Sequence, residues 1–205
     1  MKIITRPLGM WQTNFYLLVN EATNEAVVID PGYGEDQILS LIKPYQVKAI
    51  LLTHAHLDHI GGLAATKEAT GAPIYIHEAV KDWLIDPRLN MSVSFGQPID
   101  GPPADELLYD GQRLALAGWE LEVRHTPGHT PGCVSFVAND VVFAGDTLFQ
   151  GSIGRTDFPG GDFDQLARSI REKLYTLPDE TVVYPGHGPA TTIGEEKRYN
   201  PFVRA

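Results

Sequence analysis

The chain has 205 residues, of which 43% are hydrophobic and 20% charged, a composition typical of a globular protein with a core of its own. Its 26 acidic residues outnumber 16 basic ones, which gives a formal charge of −10 and a pI near 5.0. This balance leaves no basic face for phosphates or anionic lipids, and the sequence therefore argues against nucleic acid and membrane partners.

Short apolar runs along the chain predict β-strands. They lie at 15–19, 26–29, 49–52, 73–76, 114–123, 134–137, 141–144 and 182–184. Several are too apolar to have one face in water, which is typical of a sheet covered by helices.

Helical patterns separate some of these strands. The first is predicted over 35–43, with acidic residues in its first turn and Pro44 at its end, and the second over 60–69, ended by Gly71. The third begins near residue 162, capped by Asp162 or Asp164, with apolar residues at spacings of three and four, and Pro178 closes it. Residues 86–105 are rich in proline and predict a long surface loop or lid that would border a substrate cleft.

The densest functional signal lies at 53–59, which read Thr-His-Ala-His-Leu-Asp-His directly after an apolar run. Histidine and aspartate supply the nitrogen and oxygen donors that zinc and similar ions prefer. Four donors in this order have no packing rationale, so His54, His56, Asp58 and His59 are predicted metal ligands.

Three more donors follow other short apolar segments, namely His129, Asp146 and His187. The seven candidates together are too many for one ion and suit two ions with a shared bridge. Strands and helices that present donors from connecting loops indicate an α/β layered fold.

The order of these motifs resembles one family. His-x-His-x-Asp-His at 54–59 is followed by Gly-His-Thr-Pro-Gly at 128–132, Gly-Asp-Thr at 145–147 and Gly-His-Gly at 186–188. With Asp30-Pro31-Gly32 after a predicted strand, the series is similar to that of the metallo-β-lactamase fold superfamily, over about residues 14–189. The resemblance implies an α/β, αββα four-layer sandwich with the metal site between the two sheets. We expect a single domain over 1–205, without the C-terminal helical domain of full-length glyoxalase II.

The resemblance also implies a dinuclear centre. The first metal ion would be bound by His54, His56 and His129, the second by Asp58, His59 and His187, with Asp146 as the bridge. Because Asp58 and His59 occur together, the chain resembles the glyoxalase II branch, whereas true β-lactamases differ at the second site. The segment 149–158 is similar to the one that precedes the thiol-substrate contact in hydroxyacylglutathione hydrolases and persulfide dioxygenases. It places Arg155 where glyoxalases tend to have a lysine.

Two divalent ions that share one solvent oxygen lower its pKa toward roughly 7, so a metal-bridging hydroxide is the expected nucleophile. A thioester suits this chemistry because its thiol, with a pKa of about 8.5, leaves without a strong general acid. Asp58 is expected to act both as ligand and as the acceptor that orients the attacking oxygen. Arg155 has two open interpretations, a bidentate contact to a substrate carboxylate or a salt bridge within its own loop.

The sequence therefore predicts a metal-dependent hydrolase of small thioesters that resembles hydroxyacylglutathione hydrolase, which converts S-lactoylglutathione to lactate and glutathione. The expected cofactors are two divalent ions, with zinc as the default and iron or manganese accepting the same donors. The expected partner is a small thioester, with glutathione as a candidate carrier thiol. Three alternatives stay open: an iron-dependent persulfide dioxygenase, a lactone or lactam hydrolase, and a non-catalytic scaffold.

The remaining histidines, His77 and His125, are not predicted ligands. His77 is predicted to be structural, and His125 to be structural or to orient a ligand through its free nitrogen. His125 shares no helical face with His129, because Pro127 breaks the segment between them. The lone cysteine, Cys133, is predicted to be a buried structural thiol. Because one cysteine forms no intrachain disulfide and no stretch reads as a signal peptide, a cytoplasmic location is expected.

Overall fold

The computed structural model describes residues 1–205, and their contacts divide them into two units. The first unit holds residues 1–108 and 115–119, and the second holds residues 109–114 and 120–205. The expected α/β class is confirmed, because strands of two six-stranded sheets alternate with helices along the chain. A single domain over 1–205 stays a prediction.

Six strands form the mixed sheet of the first unit. They are β1 (Lys2–Leu8), β2 (Thr13–Asn20), β3 (Glu25–Ile29), β4 (Gln46–Leu51), β5 (Ile74–His77) and β6 (Glu106–Leu108). The sheet follows chain order, with β1 to β3 antiparallel and β3 to β6 parallel. The strands predicted at 15–19, 26–29, 49–52 and 73–76 are confirmed with small shifts at their ends. The sequence did not predict β1, whose residues are mostly exposed or half-buried, or the short β6.

The first unit has three helices, α1 (Glu35–Ile42), α2 (Leu57–Ile60) and α3 (Leu63–Thr70). The prediction of α1 is confirmed, and the helix predicted over 60–69 and ended by Gly71 is confirmed as α3, with Gly71 as its C-cap. Its start lies three residues later than predicted, because Gly61 and Gly62 separate it from α2. A Cβ at Gly61 would lie 2.7 Å from the ring of Tyr33, and one at Gly62 would lie 2.6 Å from the carbonyl oxygen of Gly32. Glycine is therefore required at this close approach, and it also weakens helix propagation.

The second sheet lies mainly in the second unit. The strands from here to the C-terminus are β7 (Arg113–Leu116), β8 (Trp119–His125), β9 (Val134–Ala138), β10 (Val141–Gly145), β11 (Leu148–Phe149), β12 (Ser152–Ile153), β13 (Val182–Pro185) and β14 (Thr191–Thr192). The sheet order is β14-β13-β10-β9-β8-β7, with β10 and β13 parallel, whereas β11 and β12 form a separate hairpin. The predicted strands at 134–137, 141–144 and 182–184 are confirmed.

The single strand predicted over 114–123 is wrong. The chain reverses between β7 and β8 at Ala117 and Gly118, whose φ angles are 50° and 76°. Two consecutive residues with positive φ are the geometry that two-residue hairpin turns favour. The apolar residues on either side concealed this turn in the sequence.

The helix predicted from residue 162 is confirmed as α4 (Phe163–Ser169), which continues as a π-helical turn over Ile170–Leu174. It buries Leu166, Ile170 and Leu174 in the core of the second unit. Of the two caps that the sequence allowed, the structure has Asp162, whose side chain accepts a hydrogen bond from the Gln165 amide at 2.8 Å.

Replacing Asp162 with alanine is expected to lower the free energy of unfolding by about 1 kcal/mol, because the cap hydrogen bond is lost. Asp164→Ala is the matched control, since Asp164 is exposed and lies past the cap position. Urea unfolding of both variants measures the difference. Equal midpoints for the two variants would contradict the assignment of the cap.

The loop predicted over 86–105 is partly buried, and one further helix follows near the C-terminus. Residues 86–105 hold no strand and only a 3₁₀ turn, Ser92–Phe95, as expected of a loop, but Asn90 and Ser92 within it are fully buried. Near the C-terminus the structure has a fifth helix, α5 (Ile193–Tyr199), which the sequence did not predict.

Candidate metal centre

Four of the predicted donors lie directly after β4. His54 and His56 precede α2, and Asp58 and His59 lie on it. The three histidines are buried, and the side chain of Asp58 is 13% exposed. The ring centroid of His54 is 4.1 Å from that of His59 and 4.9 Å from that of His56. The first unit thus brings three imidazoles and a carboxylate together at the end of one strand.

A chain of hydrogen bonds orients two of these rings. Asp30 follows β3 and is buried, and its carboxylate accepts hydrogen bonds from the Thr53 amide (2.8 Å), the Thr53 hydroxyl (2.6 Å) and His59 Nδ1 (2.9 Å). Because the Thr53 hydroxyl gives its hydrogen to Asp30, it acts as an acceptor toward His54 Nδ1, 3.1 Å away. Both Nδ1 atoms therefore carry the ring hydrogen, and the lone pair falls on Nε2, the nitrogen that can bind a metal.

Asp58 is held from two sides within the first unit. Its Oδ2 accepts a hydrogen bond from the Thr13 hydroxyl at 3.1 Å and lies 3.5 Å from His59 Nε2. The backbone behind it is close to Gly32, where a Cβ would lie 2.2 Å from the Asp58 carbonyl oxygen. The turn at residues 30–32 therefore supports α2 in two ways. The carboxylate of Asp30 binds His59, and Gly32, which has no Cβ, lets the backbone at Asp58 pack closely against the turn.

The second unit gathers the other three donors around one carboxylate. Asp146 follows β10, His129 lies in the turn after β8, and His187 follows β13. Asp146 Oδ2 is 3.5 Å from His129 Nε2 and 3.7 Å from His187 Nε2. Asp146 and His129 are buried, whereas the side chain of His187 is 29% exposed.

The segment after Asp146 returns to support His129. His129 Nδ1 donates a hydrogen bond to the carbonyl oxygen of Arg155 at 2.7 Å, so the lone pair of this ring also falls on Nε2. The neighbouring Gly154 is pressed against Asp146, because a Cβ there would lie 1.8 Å from the Asp146 carbonyl oxygen. One short stretch of chain thus contacts two of the donors.

The donor spacing fits a divalent ion. Two ligands at about 2.0–2.1 Å from a tetrahedral ion lie roughly 3.3 Å apart. The three separations of 3.5, 3.5 and 3.7 Å between carboxylate oxygen and imidazole Nε2 are close to that value and longer than a good hydrogen bond. All seven predicted donors belong to groups of His and Asp side chains that could hold a metal ion. The donor side chains of each unit therefore have spacings that suit divalent metal binding.

The side chain of Arg155 is engaged within its own loop. Its Nε and Nη2 donate to the two carboxylate oxygens of Asp157 at 2.7 and 2.5 Å, and its guanidinium lies 3.8 Å from the ring centroid of Phe158. These hydrogen bonds from Arg155 lower the pKa of Asp157 to about 2. The structure shows the salt bridge of the second interpretation, and the contact to a substrate carboxylate stays a prediction.

The residues predicted to be structural have structural roles. His77 Nδ1 accepts a hydrogen bond from the Ala79 amide at the start of a 3₁₀ turn, and His125 Nε2 donates to the Pro131 carbonyl oxygen at 2.9 Å. The thiol of Cys133 is buried against the Thr130 amide and hydroxyl, at 3.3 and 3.1 Å.

Sequence reasoning missed three supporting groups: the Asp30 carboxylate, the Thr53 hydroxyl and the Arg155 carbonyl oxygen. The Asp30-Pro31-Gly32 turn was noticed as a motif, and an acidic residue directly after a buried strand was the signal that could have assigned it. No side-chain signal exists for a backbone carbonyl.

Comparison with known proteins supports one family. The profile of the metallo-beta-lactamase superfamily matches residues 8–187. The chain is 43% identical to the probable metallo-hydrolase YqgX of Bacillus subtilis, covering 99% of this chain and 98% of the relative. It is 40% identical to the hydroxyacylglutathione hydrolase GloC of Haemophilus influenzae, covering 100% and 99%.

Solved structures agree. The fold matches that of the BLEG-1 B3 metallo-beta-lactamase with a TM-score of 0.95 and 45% identity over the full length of both chains. It also matches TTHA1623 in a di-iron-bound form, with a TM-score of 0.86 and 40% identity over 99% of this chain and 100% of the other. The predicted metallo-β-lactamase fold, with two mixed sheets and flanking helices, is therefore confirmed.

None of the helices in the structure has the length and apolar character needed to cross a membrane.

Proposed function

Because the chain belongs to the metallo-β-lactamase superfamily and resembles metallo-hydrolases along its whole length, we propose that it is a metal-dependent hydrolase of small thioesters. One observation carries the proposal: the donor set includes both Asp58 and His59, held by Thr13 and Asp30, in a chain 40% identical to a hydroxyacylglutathione hydrolase. A substrate that resembles S-lactoylglutathione follows from that similarity.

The proposed ligands are the seven predicted donors. His54, His56 and His129 would bind one ion, Asp58, His59 and His187 the other, and Asp146 both. The position of Asp146 Oδ2 beside both His129 Nε2 and His187 Nε2 supports a bridging role. The Nδ1 hydrogen bonds of His54, His59 and His129 support Nε2 coordination in each case.

The protein's own groups then orient the reaction. Divalent ions bound by these donors would supply an activated water molecule and polarise the thioester carbonyl. Asp58 would accept a hydrogen bond from the attacking water, because its carboxylate keeps acceptor capacity beyond its bond from Thr13. The thiol leaves as a thiolate, so no protein general acid is required.

The metal assignment extends the coarser finding of divalent metal binding. Two ions per chain are proposed, with zinc as the default for nitrogen and oxygen donors. The di-iron-bound form of TTHA1623 supports iron as an occupant of a closely similar fold, and manganese accepts the same donors. Glutathione as carrier thiol, a cytoplasmic location and the absence of nucleic acid partners stay predictions.

A second candidate function is hydrolysis of a lactam. The similarity to the BLEG-1 B3 metallo-beta-lactamase, at 45% identity over the full chain, favours it. The same ligands and the same activated water would serve, but a lactam amine is a poorer leaving group than a thiolate and calls for protonation.

A rate panel separates these functions. The purified protein, loaded with zinc in one set and iron in another, is assayed against S-lactoylglutathione, a coenzyme A thioester, a lactone and a β-lactam. We expect kcat/KM for at least one thioester to exceed that for the lactone and the lactam by about 100-fold or more, roughly 2.7 kcal/mol of transition-state preference. A lactam preferred over all thioesters would overturn the thioester assignment.

Adding glutathione persulfide and a measurement of oxygen uptake to the panel decides the two remaining alternatives. Oxygen uptake on glutathione persulfide, with one iron per chain, would identify a persulfide dioxygenase. No turnover of any substrate by metal-loaded protein would identify a non-catalytic scaffold.

Arg155→Ala tests the proposed carboxylate contact. We expect KM for anionic thioesters to rise about tenfold with kcat unchanged, as for the loss of one charge-assisted hydrogen bond that contributes equally to ground and transition states. The backbone carbonyl that holds His129 remains in this variant. Asp157→Asn is the matched variant, because it releases the guanidinium and should lower the same KM. An unchanged KM in Arg155→Ala would restrict Arg155 to its intra-loop salt bridge.

A further inference from the structure

Two side chains near the C-terminus, those of Glu196 and Asn200, form hydrogen bonds with the backbone of the β11–β12 hairpin. Glu196, on α5, is 2% exposed, and its Oε2 accepts a hydrogen bond from the Gly151 amide at 3.0 Å. Asn200 is fully buried, and its Nδ2 donates to the Ser152 carbonyl oxygen at 3.0 Å and to Glu196 Oε2 at 2.9 Å. Both backbone groups of the hairpin turn are therefore held by buried side chains that lie more than forty residues further along the chain.

Further hydrogen bonds fix Asn200 and the residues that follow it. Asn200 Oδ1 accepts hydrogen bonds from the Phe202 and Val203 amides at 3.0 and 3.2 Å. The buried hydroxyl of Tyr175 donates to the carbonyl oxygen of Val203 at 2.7 Å. Since each of these groups is satisfied, moving the C-terminal segment would leave several buried polar atoms without partners, which is costly.

The hairpin and the two residues that follow it contact all three donors of the second unit. The hairpin begins just after Asp146, and Gly154, directly after its second strand, lies close against the Asp146 carbonyl oxygen. The next residue supplies the carbonyl oxygen that holds His129 Nδ1. Phe149 meets the ring of His187 edge to face, with 6.2 Å between centroids. A shift of the hairpin would therefore move Asp146, His129 and His187 together.

We propose that Glu196 and Asn200 are positioning residues that fix the hairpin and, through it, the three metal donors of the second unit. This inference rests on the proposed function, because it takes Asp146, His129 and His187 as ligands. Neither residue touches a ligand directly, and their role is to keep donor geometry constant within the small tolerance that metal coordination requires.

Glu196→Ala, Glu196→Gln and Thr191→Val form a matched set. Glu196→Ala removes the acceptor for the Gly151 amide. In Glu196→Gln the side-chain oxygen can stay on Gly151 and Asn200 while the amide nitrogen faces the Thr191 hydroxyl, which accepts as well as donates. Thr191→Val removes the 2.7 Å hydrogen bond to Glu196 Oε1 but leaves the hydrogen bonds of Glu196 and Asn200 to the hairpin.

The readout is the rate of metal release to a chelator from the zinc-loaded protein, together with the visible spectrum of the cobalt(II) form and the melting temperature. We expect release about tenfold faster in Glu196→Ala, the lower end of the range for loss of an outer-shell partner, with a changed cobalt spectrum. Release from Glu196→Gln and Thr191→Val should stay within about twofold of the unsubstituted protein, even though Thr191→Val lowers the melting temperature. If Glu196→Ala lowers the melting temperature but leaves the release of metal and the cobalt spectrum unchanged, these residues stabilise the fold and do not position the metal donors.

A second measurement uses the unsubstituted protein and does not depend on the folding of any variant. If the hairpin and the donors move together, adding zinc to metal-free protein should slow hydrogen exchange of the Gly151 amide by about tenfold or more, because the coupling is reciprocal. Exchange of Gly151 that is insensitive to zinc would overturn the proposal. Neither readout uses a substrate, so a protein that binds zinc but leaves thioesters intact would refute the proposed function and still test this inference.

Discussion

Replacing Asp146 with asparagine is expected to lower kcat/KM for thioesters by at least about 1,000-fold, beyond the roughly 10–100-fold that loss of an outer-shell partner costs. The reason is geometric, because Asp146 Oδ2 lies 3.5 Å from His129 Nε2 and 3.7 Å from His187 Nε2. A neutral amide keeps the shape of the side chain but removes the charge that two cations would share. Metal content per chain, measured by elemental analysis, should fall together with the rate.

Asp140→Asn is the matched control for this change. Asp140 lies in the turn between β9 and β10, is exposed, and belongs to the same unit as Asp146. It should keep the rate and the metal content of the unsubstituted protein. An Asp146→Asn variant that retains both ions and turns over normally would remove Asp146 from the proposed ligand set.

Replacing Asp30 with asparagine is expected to have the second largest effect, although Asp30 is not a proposed ligand. Its two oxygens accept three hydrogen bonds from Thr53 and His59. In asparagine the NH₂ group, which only donates, replaces one oxygen, so at least one of these three hydrogen bonds is lost. We expect metal affinity to fall about 10–100-fold and the free energy of unfolding to fall by about 2–4 kcal/mol. Calorimetric titration with zinc and urea unfolding measure the two quantities.

Asp36→Asn serves as the control for Asp30, because Asp36 lies in the same unit on the exposed face of α1. A loss of stability without a loss of metal affinity in Asp30→Asn would show that Asp30 supports the fold alone. In that case the orientation of His59 by Asp30 would play no part in metal binding.

The sequence alone was enough to select the proposed ligands, because the pattern that points to them is local. Residue type and spacing are the signal for the four metal donors at 54–59. The same holds for His129, Asp146 and His187, each of which follows a glycine. The support of Asp30 for this loop was not predictable in the same way. It depends on the parallel pairing of β3 and β4, which sets Ile29 beside Leu51 and brings the residues after each strand to the same edge.

Errors in the secondary structure have equally specific causes. The break between α2 and α3 depends on the packing of Gly61 against the ring of Tyr33, a long-range contact that apolar periodicity does not contain. The turn at Ala117 and Gly118 has one residue, Ala117, that rarely adopts a positive φ, and the flanking residues continue the apolar pattern.

The helix α5 was missed because its buried face is partly polar. Ile193 and Glu196 point inward, so a carboxylate stands where periodicity analysis expects an apolar side chain. The sequence did hold one signal, a threonine three residues before a glutamate, and the Thr192 hydroxyl indeed accepts a hydrogen bond from the Glu195 amide at 3.2 Å.

The most direct test of the central claim combines elemental analysis with chelation and thioester turnover on one preparation. The account predicts close to two divalent ions per chain, thioester hydrolysis that disappears when a chelator removes them, and recovery of the rate when zinc or iron is restored. A metal-free sample that keeps its full rate of thioester hydrolysis would contradict the account.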